Sequence, residues 1–209
     1  MTPWRARARG TRREISAYRS FDPRKVGGLE SDAWVAYYRR NWLRFLRSAV
    51  ALIHHTFGLP WRSKLLGAWL VLRANQLWAP FPDNDPDGAR RAMARFYGLI
   101  RRVHGETFDP LRAAELEVEW WREHREHQHA ALAKHDEHGL IDALSGLYSY
   151  VYGVPADHVR PAAEQRALAM RFSDSWVAGG CESESPLIDE ERAALVRSYA
   201  ALLAAVHRL

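Results

Sequence analysis

Residues 61–78 have the sequence WRSKLLGAWLVLRANQLW. Leu, Val, Ala and Trp occur there on nearly every side of a helical repeat, and the two-residue alternation typical of a half-buried strand is absent. Gly58 and Pro60 just before this stretch are residues at which a preceding helix ends. A helix that is apolar on most sides is usually surrounded by other elements. The sequence therefore predicts a helix over residues 61–78 at the centre of an all-α bundle.

Helical spacing of apolar residues extends outward from this stretch in both directions. Two of the helix starts share one signature, Asp85-Pro86 and Asp109-Pro110, in which Asp caps the free amides and Pro fits the first helical turn. We predict seven helices, with approximate bounds 32–56, 61–78, 86–104, 110–135, 140–152, 156–178 and 188–207. Because no repeat period and no linker interrupts them, we expect one domain built as a bundle of about seven helices.

Positive charge is concentrated in the first 29 residues. They hold eight Arg and Lys residues against two acidic ones, whereas the whole chain of 209 residues has a net charge of +5. We predict a basic N-terminal arm over residues 1–29 and a helical domain over residues 30–209. Such an arm can bind nucleic acid or an anionic membrane surface. Alternatively, it is solvated or packs across acidic surface.

The composition is typical of a soluble bacterial protein. Cys181 is the single cysteine, which excludes an internal disulfide and fits a reducing cytoplasm. The sequence has neither a signal-peptide core nor an apolar run long enough to span a bilayer. Arg accounts for 27 of the 30 basic residues, as expected from a GC-rich genome, and the nine Trp residues indicate a core or cleft of large flat side chains. We expect a cytoplasmic location and leave the oligomeric state open.

The predicted helix over residues 110–135 carries polar residues where apolar ones are expected. At about 100° per residue, Glu117, His124 and Gln128 fall within an apolar arc that also contains Trp120 and Trp121. Since an unpaired buried carboxylate is unfavourable, Glu117 should be paired, protonated or bound to a cation. We predict Glu117 and His124 as metal ligands, and Gln128, Trp120 and Trp121 as ligand-binding residues.

A fourth ligand-binding candidate, Arg166, lies within the apolar arc of the predicted helix over residues 156–178. Arg166 either neutralises Glu117 in a buried ion pair or holds a carboxylate or phosphate group of a ligand in a bidentate fork. A second motif, Glu126-x-x-His129, has the spacing used by carboxylate-bridged di-iron bundles. Its two residues fall on the polar side of their helix, so we expect them to face water.

Glu117 and His124 also carry a resemblance to a known family. A Glu followed seven positions later by a His, on a mostly helical chain, resembles part of the metal site of the helical di-iron oxygenases with the haem-oxygenase-like fold. The resemblance implies an iron cofactor and a metal-dependent oxidoreductase. The later His, Asp and His ligands of that family have no counterpart in the last three predicted helices. The chain also resembles helical hypothetical proteins of high-GC bacteria, which implies no activity.

Three functions remain open at this point. The first is a small-ligand-binding protein or enzyme with a cleft around Glu117, His124, Gln128 and Arg166. The second is a non-catalytic partner-binding protein in which Glu117, His124 and Arg166 form a structural network. The third is nucleic-acid association through the basic arm, with steep salt dependence. An open cavity that reaches Glu117 and His124 favours the first function, whereas a sealed and fully paired network favours the second.

Overall fold

The computed structural model describes residues 16–129 and 138–208. These residues form a short 3₁₀ helix and eight α-helices, and they contain no strand. The 3₁₀ helix spans Ala17–Arg19, and the α-helices are α1 (Pro23–Tyr38), α2 (Trp42–Phe57), α3 (Trp61–Trp78), α4 (Pro86–His104), α5 (Pro110–His129), α6 (His138–Tyr152), α7 (Ala156–Ala178) and α8 (Pro186–Val206). The predicted all-α class is confirmed.

The Asp-Pro signature marks helix starts as predicted. Asp85 Oδ1 accepts a hydrogen bond from the Gly88 amide at 2.7 Å, and Asp109 Oδ1 accepts one from the Leu111 amide at 3.1 Å. Each bond satisfies an amide that has no partner within its own helix. The bounds of α3, α4 and α7 coincide with the predicted ones.

The single helix predicted over residues 32–56 is wrong, because two helices occupy this region. α1 ends at Tyr38, and Arg40 follows in the left-handed backbone region with φ 55°. Asn41 then caps α2 by accepting a hydrogen bond from the Arg44 amide at 3.1 Å. A cap of this kind starts a new helix in a new direction, although the apolar spacing of the sequence continues across the break.

The predicted boundary between residues 29 and 30 falls inside α1. That helix begins at Pro23, and Asp22 caps it by accepting a hydrogen bond from the Arg24 amide at 2.9 Å. Tyr18, Phe21 and Val26 are buried in the core. Residues 16–29 therefore belong to the helical fold, and residues 1–15 of the predicted arm lie outside the described residues.

The eight helices form a closed ring. Each helix packs against the one before it and the one after it in the sequence, and α8 packs against α1. The long helices run along the wall of this ring, so that one face of each helix is turned toward a shared interior. This arrangement differs from a bundle with one helix at its centre.

The central position predicted for α3 is accordingly wrong. Gly67, Ala68 and Ala74 of α3 are buried, but Trp61 and Trp69 keep 64% and 53% of their surface exposed. α3 is one segment of the ring wall, and its outer side is apolar. Within the described residues, no helix is long and apolar enough to cross a membrane.

Candidate functional site

A cavity of about 690 Å³ lies inside the ring, and all eight helices contribute to its wall. It extends from fully buried residues such as Tyr18 and Leu144 to exposed ones such as Phe81 and Gln128, so it opens to solvent. Fifteen of its 38 lining residues are Phe, Trp or Tyr. The wall therefore suits an apolar or aromatic molecule.

The structure brings all six predicted site residues to this one cavity. Its lining includes Glu117, Trp120, Trp121, His124 and Gln128 from α5 and Arg166 from α7. The five residues of α5 lie on the face that the helix turns toward the interior of the ring. The helical stepping of the sequence therefore located the face of α5 that lines the cavity.

Glu117 is held in the cavity wall by two donors. The hydroxyl of Tyr97 on α4 donates to its Oε2 at 2.6 Å, and the indole Nε1 of Trp121 donates to its Oε1 at 3.2 Å. Burial raises the pKa of Glu117, and the hydrogen bond from Tyr97, the charge of Arg166 and the hydrogen bond from Trp121 offset only part of that effect. Glu117 is thus a carboxyl group with an increased tendency to hold a proton.

His124 and Gln128 share a different partner, Asp174 of α7. His124 Nε2 lies 3.2 Å from both carboxylate oxygens of Asp174. Gln128 Nε2 donates to Asp174 Oδ1 at 2.6 Å and to the hydroxyl of Tyr38 at 3.1 Å. These contacts join α1, α5 and α7 beside exposed residues of the cavity lining, whereas Glu117 is bound to α4 through a separate pair of bonds.

Of the two alternatives predicted for Arg166, the ion pair with Glu117 is not formed, because Arg166 pairs with Glu30 of α1 instead. Arg166 Nη1 donates to Glu30 Oε2 at 3.1 Å, and Arg166 Nη2 donates to Glu30 Oε1. The Tyr199 hydroxyl donates to Glu30 Oε2 at 2.5 Å. Burial acts to lower the pKa of Arg166, but the charge of Glu30, the neighbouring Tyr148 and Tyr199 and the hydrogen bond to Glu30 together raise that pKa above its ordinary value. Arg166 and Glu30 therefore form a charged pair whose net charge is zero.

Two buried N–H groups and one buried hydroxyl of the cavity wall have no hydrogen-bond partner. They are the Nε of Arg166, the indole Nε1 of Trp120 and the Oγ1 of Thr56. Arg166 and Trp120 are both 8% exposed, and the Arg166 guanidinium carbon lies 5.3 Å from the centroid of the Trp120 ring. Buried donors are nearly always satisfied in folded proteins. Arg166 Nε and Trp120 Nε1 can only donate, so each is available to an acceptor atom.

The described residues contain no group of three or more His, Cys, Asp or Glu residues that could hold a metal ion. Glu117 and His124 line one cavity, but Tyr97 and Trp121 bind the former and Asp174 binds the latter. The iron site implied by the resemblance stays a prediction. Glu126 is exposed, as predicted, and pairs with Arg122 at 2.6 Å, whereas the side chain of His129 lies outside the described residues.

Sequence reasoning missed four polar residues of the site: Glu30, Tyr97, Asp174 as the shared partner of His124 and Gln128, and Tyr199. Glu30 is the first residue after the predicted arm and precedes the first predicted helix, so the sequence did not place it on the face of any helix. The signal that would have found it is Asp22-Pro23, which repeats the Asp-Pro helix start seen at two other positions. Tyr97 and Tyr199 gave no signal, since a Tyr on an apolar face is ordinary core composition.

The site offers two kinds of chemistry. Glu117 can give or accept a proton at the largely apolar wall of the cavity. Arg166 and Trp120 can donate hydrogen bonds to an acceptor.

No family model matches this chain, and comparisons with curated proteins and with solved structures gave no match either.

Proposed function

We propose that this protein binds a small apolar molecule that carries an uncharged hydrogen-bond acceptor, inside the cavity of the helical ring. The observation that carries the proposal is the cavity itself, of about 690 Å³ with a largely aromatic wall that is open to solvent. Cavities of roughly 300–1,000 Å³ with apolar linings and a few polar groups are typical of sites for small organic molecules.

The size of the cavity supports a ligand rather than a packing defect. Protein interiors are close-packed, and voids larger than a water molecule are few. A void of this volume lowers stability through the contacts that its lining residues lack. Aromatic side chains around it offer extensive contact area to an apolar molecule.

The acceptor is inferred from the unpartnered N–H groups of the cavity wall, Arg166 Nε and Trp120 Nε1. We infer that it is uncharged because both Nη atoms of Arg166 already bind Glu30, which neutralises the guanidinium. A carboxylate or phosphate of the ligand would meet the charge of Glu30 without a free bidentate fork to hold it. A carbonyl or ether oxygen meets the same donors without that repulsion.

Glu117 is the group that we assign to proton exchange with the ligand, should the protein act as an enzyme. Burial raises its pKa, so a larger fraction of Glu117 is protonated than of a solvated Glu at the same pH. The Tyr97 hydroxyl, 2.6 Å from Oε2, fixes the orientation of the carboxyl group. Its role as a general acid or base is a proposal that rests on this environment.

The first experiment titrates the protein with Nile red, an apolar dye with one carbonyl oxygen, and follows its fluorescence. We expect saturable binding that falls about tenfold in Ala49→Leu/Val71→Phe, because both residues line the cavity and the larger side chains exclude the dye. The matched control is Ala200→Leu/Val103→Phe, which makes the same changes at exposed positions outside the lining. The control should bind the dye as the unmodified protein does.

The second experiment tests the acceptor. Trp120→Phe removes the free N–H and keeps an aromatic ring, so the affinity for Nile red should fall about fivefold, the equivalent of one hydrogen bond of about 1 kcal/mol. The affinity for diphenylhexatriene, which has no acceptor, should not change. Trp176→Phe is the control, because its N–H binds the Glu182 carbonyl and it does not line the cavity.

Equal binding of Nile red by the cavity-filling pair and by the unmodified protein would contradict the proposal. The partner-binding alternative would then gain, and it already has a specific observation in its favour. Glu117, His124 and Arg166 are each hydrogen-bonded to protein groups, as a structural network requires. Pulldown of a partner that is lost on Glu117→Ala would favour this second function.

A further inference from the structure

The outer side of α3 exposes a continuous set of large apolar side chains. Their exposed fractions are 64% for Trp61, 50% for Leu65, 41% for Leu66 and 53% for Trp69. Trp61, Leu65 and Trp69 are spaced four residues apart, so they line up along one side of the helix. An apolar surface of this kind usually contacts another molecule.

Two basic residues lie among these apolar side chains. At about 100° per residue, Arg62 and Arg73 fall within the same arc as the exposed apolar residues, and both are exposed. We call this surface the α3 face, and its members are Trp61, Arg62, Leu65, Leu66, Trp69 and Arg73. Aromatic and aliphatic side chains interleaved with Arg are typical of surfaces that enter the interface of an anionic bilayer.

The charge of the surrounding chain is one-sided. Residues 33–82, which include α2 and α3, contain seven Arg and Lys residues and no Asp or Glu. The negative surface potential of a membrane rich in anionic lipid attracts these basic residues. Each basic residue close to the surface contributes about 1 kcal/mol to the binding free energy. The positive potential and the apolar side chains thus favour the same partner.

We propose that the α3 face docks on the surface of a bilayer that contains anionic lipids. Trp61 and Trp69 enter the headgroup region, where Trp is enriched in membrane proteins, while Leu65 and Leu66 contact the upper part of the acyl chains. Arg62 and Arg73 bind lipid phosphates. The docking is peripheral, since no described helix is long and apolar enough to cross the membrane.

Two other occupants fit the charge less well. Residues 1–15 contain five Arg and one Glu, so this segment and the α3 face repel each other. A second copy of the chain, docked through the same face about a twofold axis, would bring two acid-free surfaces into contact. An anionic bilayer is the occupant whose charge complements the face.

The experiment measures co-sedimentation of the full chain with vesicles of phosphatidylcholine alone or with about 30% phosphatidylglycerol, at about 0.1 M salt. We expect binding about tenfold stronger to the anionic vesicles, and a similar loss in Trp61→Ser/Trp69→Ser. The matched control is Val103→Ser/Leu111→Ser, which changes exposed apolar residues elsewhere and should bind normally. All four substituted positions are exposed, and thermal unfolding verifies that each variant is folded.

A second comparison separates the α3 face from the basic arm. In a chain that lacks residues 1–15, Trp61→Ser/Trp69→Ser should again lose about tenfold in binding, because the face and not the arm enters the interface. Vesicle binding that the double substitution leaves unchanged would overturn the proposal, as would absence of binding to anionic vesicles. A dimer in solution that Trp61→Ser/Trp69→Ser dissociates, with no vesicle binding, would assign the face to a second copy instead.

Discussion

Two buried glutamates, Glu30 and Glu191, differ in the partners that surround them. Glu30 receives two bonds from Arg166 and one from Tyr199, so its charge is compensated. Glu191 has no exposed surface and receives a bond from Ser173 at 3.0 Å, while its Oε1 has no partner. Burial raises the pKa of Glu191 to about 8. Glu191 is therefore mostly protonated at neutral pH.

This raised pKa makes the stability of the protein depend on pH. The unfolded chain releases the Glu191 proton near pH 4.5 and the folded chain near pH 8, so stability present below pH 4.5 is lost as the pH rises to about 8. Glu191→Gln mimics the protonated form and should abolish the loss. Above about pH 8 the variant should be more stable than the unmodified protein by up to about 5 kcal/mol.

Urea unfolding across this pH range provides the measurement. Glu190→Gln is the matched control, because Glu190 is the neighbouring glutamate and is exposed. The control should follow the pH dependence of the unmodified protein. A Glu191→Gln variant that loses stability between about pH 5 and about pH 8 as steeply as the unmodified protein would contradict the assignment.

The candidate site was predictable from the sequence only where polarity conflicted with helical position. Glu117, His124 and Arg166 were found because a charged or polar residue inside an apolar arc is unusual. Their partners could not be assigned, since which helix faces which is decided by the closure of the ring. Arg166 binds Glu30, which is 136 positions away in the sequence, and no local pattern records a contact of that kind.

At the scale of the elements, the starts of helices were more predictable than their continuity. Asp85-Pro86 and Asp109-Pro110 located two starts because capping and proline geometry are properties of adjacent residues. The break after Tyr38 was missed, since the left-handed turn at Arg40 contains no glycine or proline that would mark it. Apolar spacing also placed α3 at the centre, because it cannot distinguish a buried apolar face from one that meets solvent or a partner.

Two glycines of α4 provide a test of how its end is formed. Gly98 lies within the helix, and a Cβ added there meets nothing within 4 Å, whereas Gly105 caps the helix with φ 68°. Gly98→Ala should stabilise the protein by about 0.5–1 kcal/mol, because alanine loses less backbone entropy on folding. Gly105→Ala should destabilise it by about 1–2 kcal/mol, because an L residue is strained in the left-handed region.

Each of the two substitutions serves as the control for the other, as both replace one hydrogen by a methyl group on the same helix. Thermal or urea unfolding of the two variants gives the comparison. A stabilising Gly105→Ala, or a Gly98→Ala that destabilises as much as Gly105→Ala, would show that the backbone at the end of α4 differs from the one described.

At the scale of the whole molecule, closure of the ring joins the two ends of the described chain. α1 packs against α8, and Arg192 of α8 pairs with Asp32 of α1 at 3.1 Å. Tyr18 stacks on Tyr152 of α6 at 4.7 Å between ring centroids, and its hydroxyl donates to the Val151 carbonyl. Without the N-terminal segment, the ring would be open along α8 and the cavity would lose part of its wall.

Residues 16–29 should therefore be required for folding. Removal of residues 1–29 deletes the buried side chains of Tyr18, Phe21 and Val26 together with the first turns of α1. At about 1.5–3 kcal/mol for each large apolar side chain, the loss approaches the total stability of about 5–15 kcal/mol that is usual for a domain. We expect this truncated chain to lose its cooperative thermal transition.

Deletion of residues 1–15 is the control, because it retains all three of these side chains and the Asp22 cap. The shorter deletion should keep a cooperative transition and saturable Nile red binding. If the chain without residues 1–29 unfolded as cooperatively as the full chain and bound the dye equally well, the ring would not depend on α1 for closure. Residues 30–209 would then form a domain that folds without residues 1–29, as the predicted boundary states. The first turns of α1 would only pack against the outside of that domain.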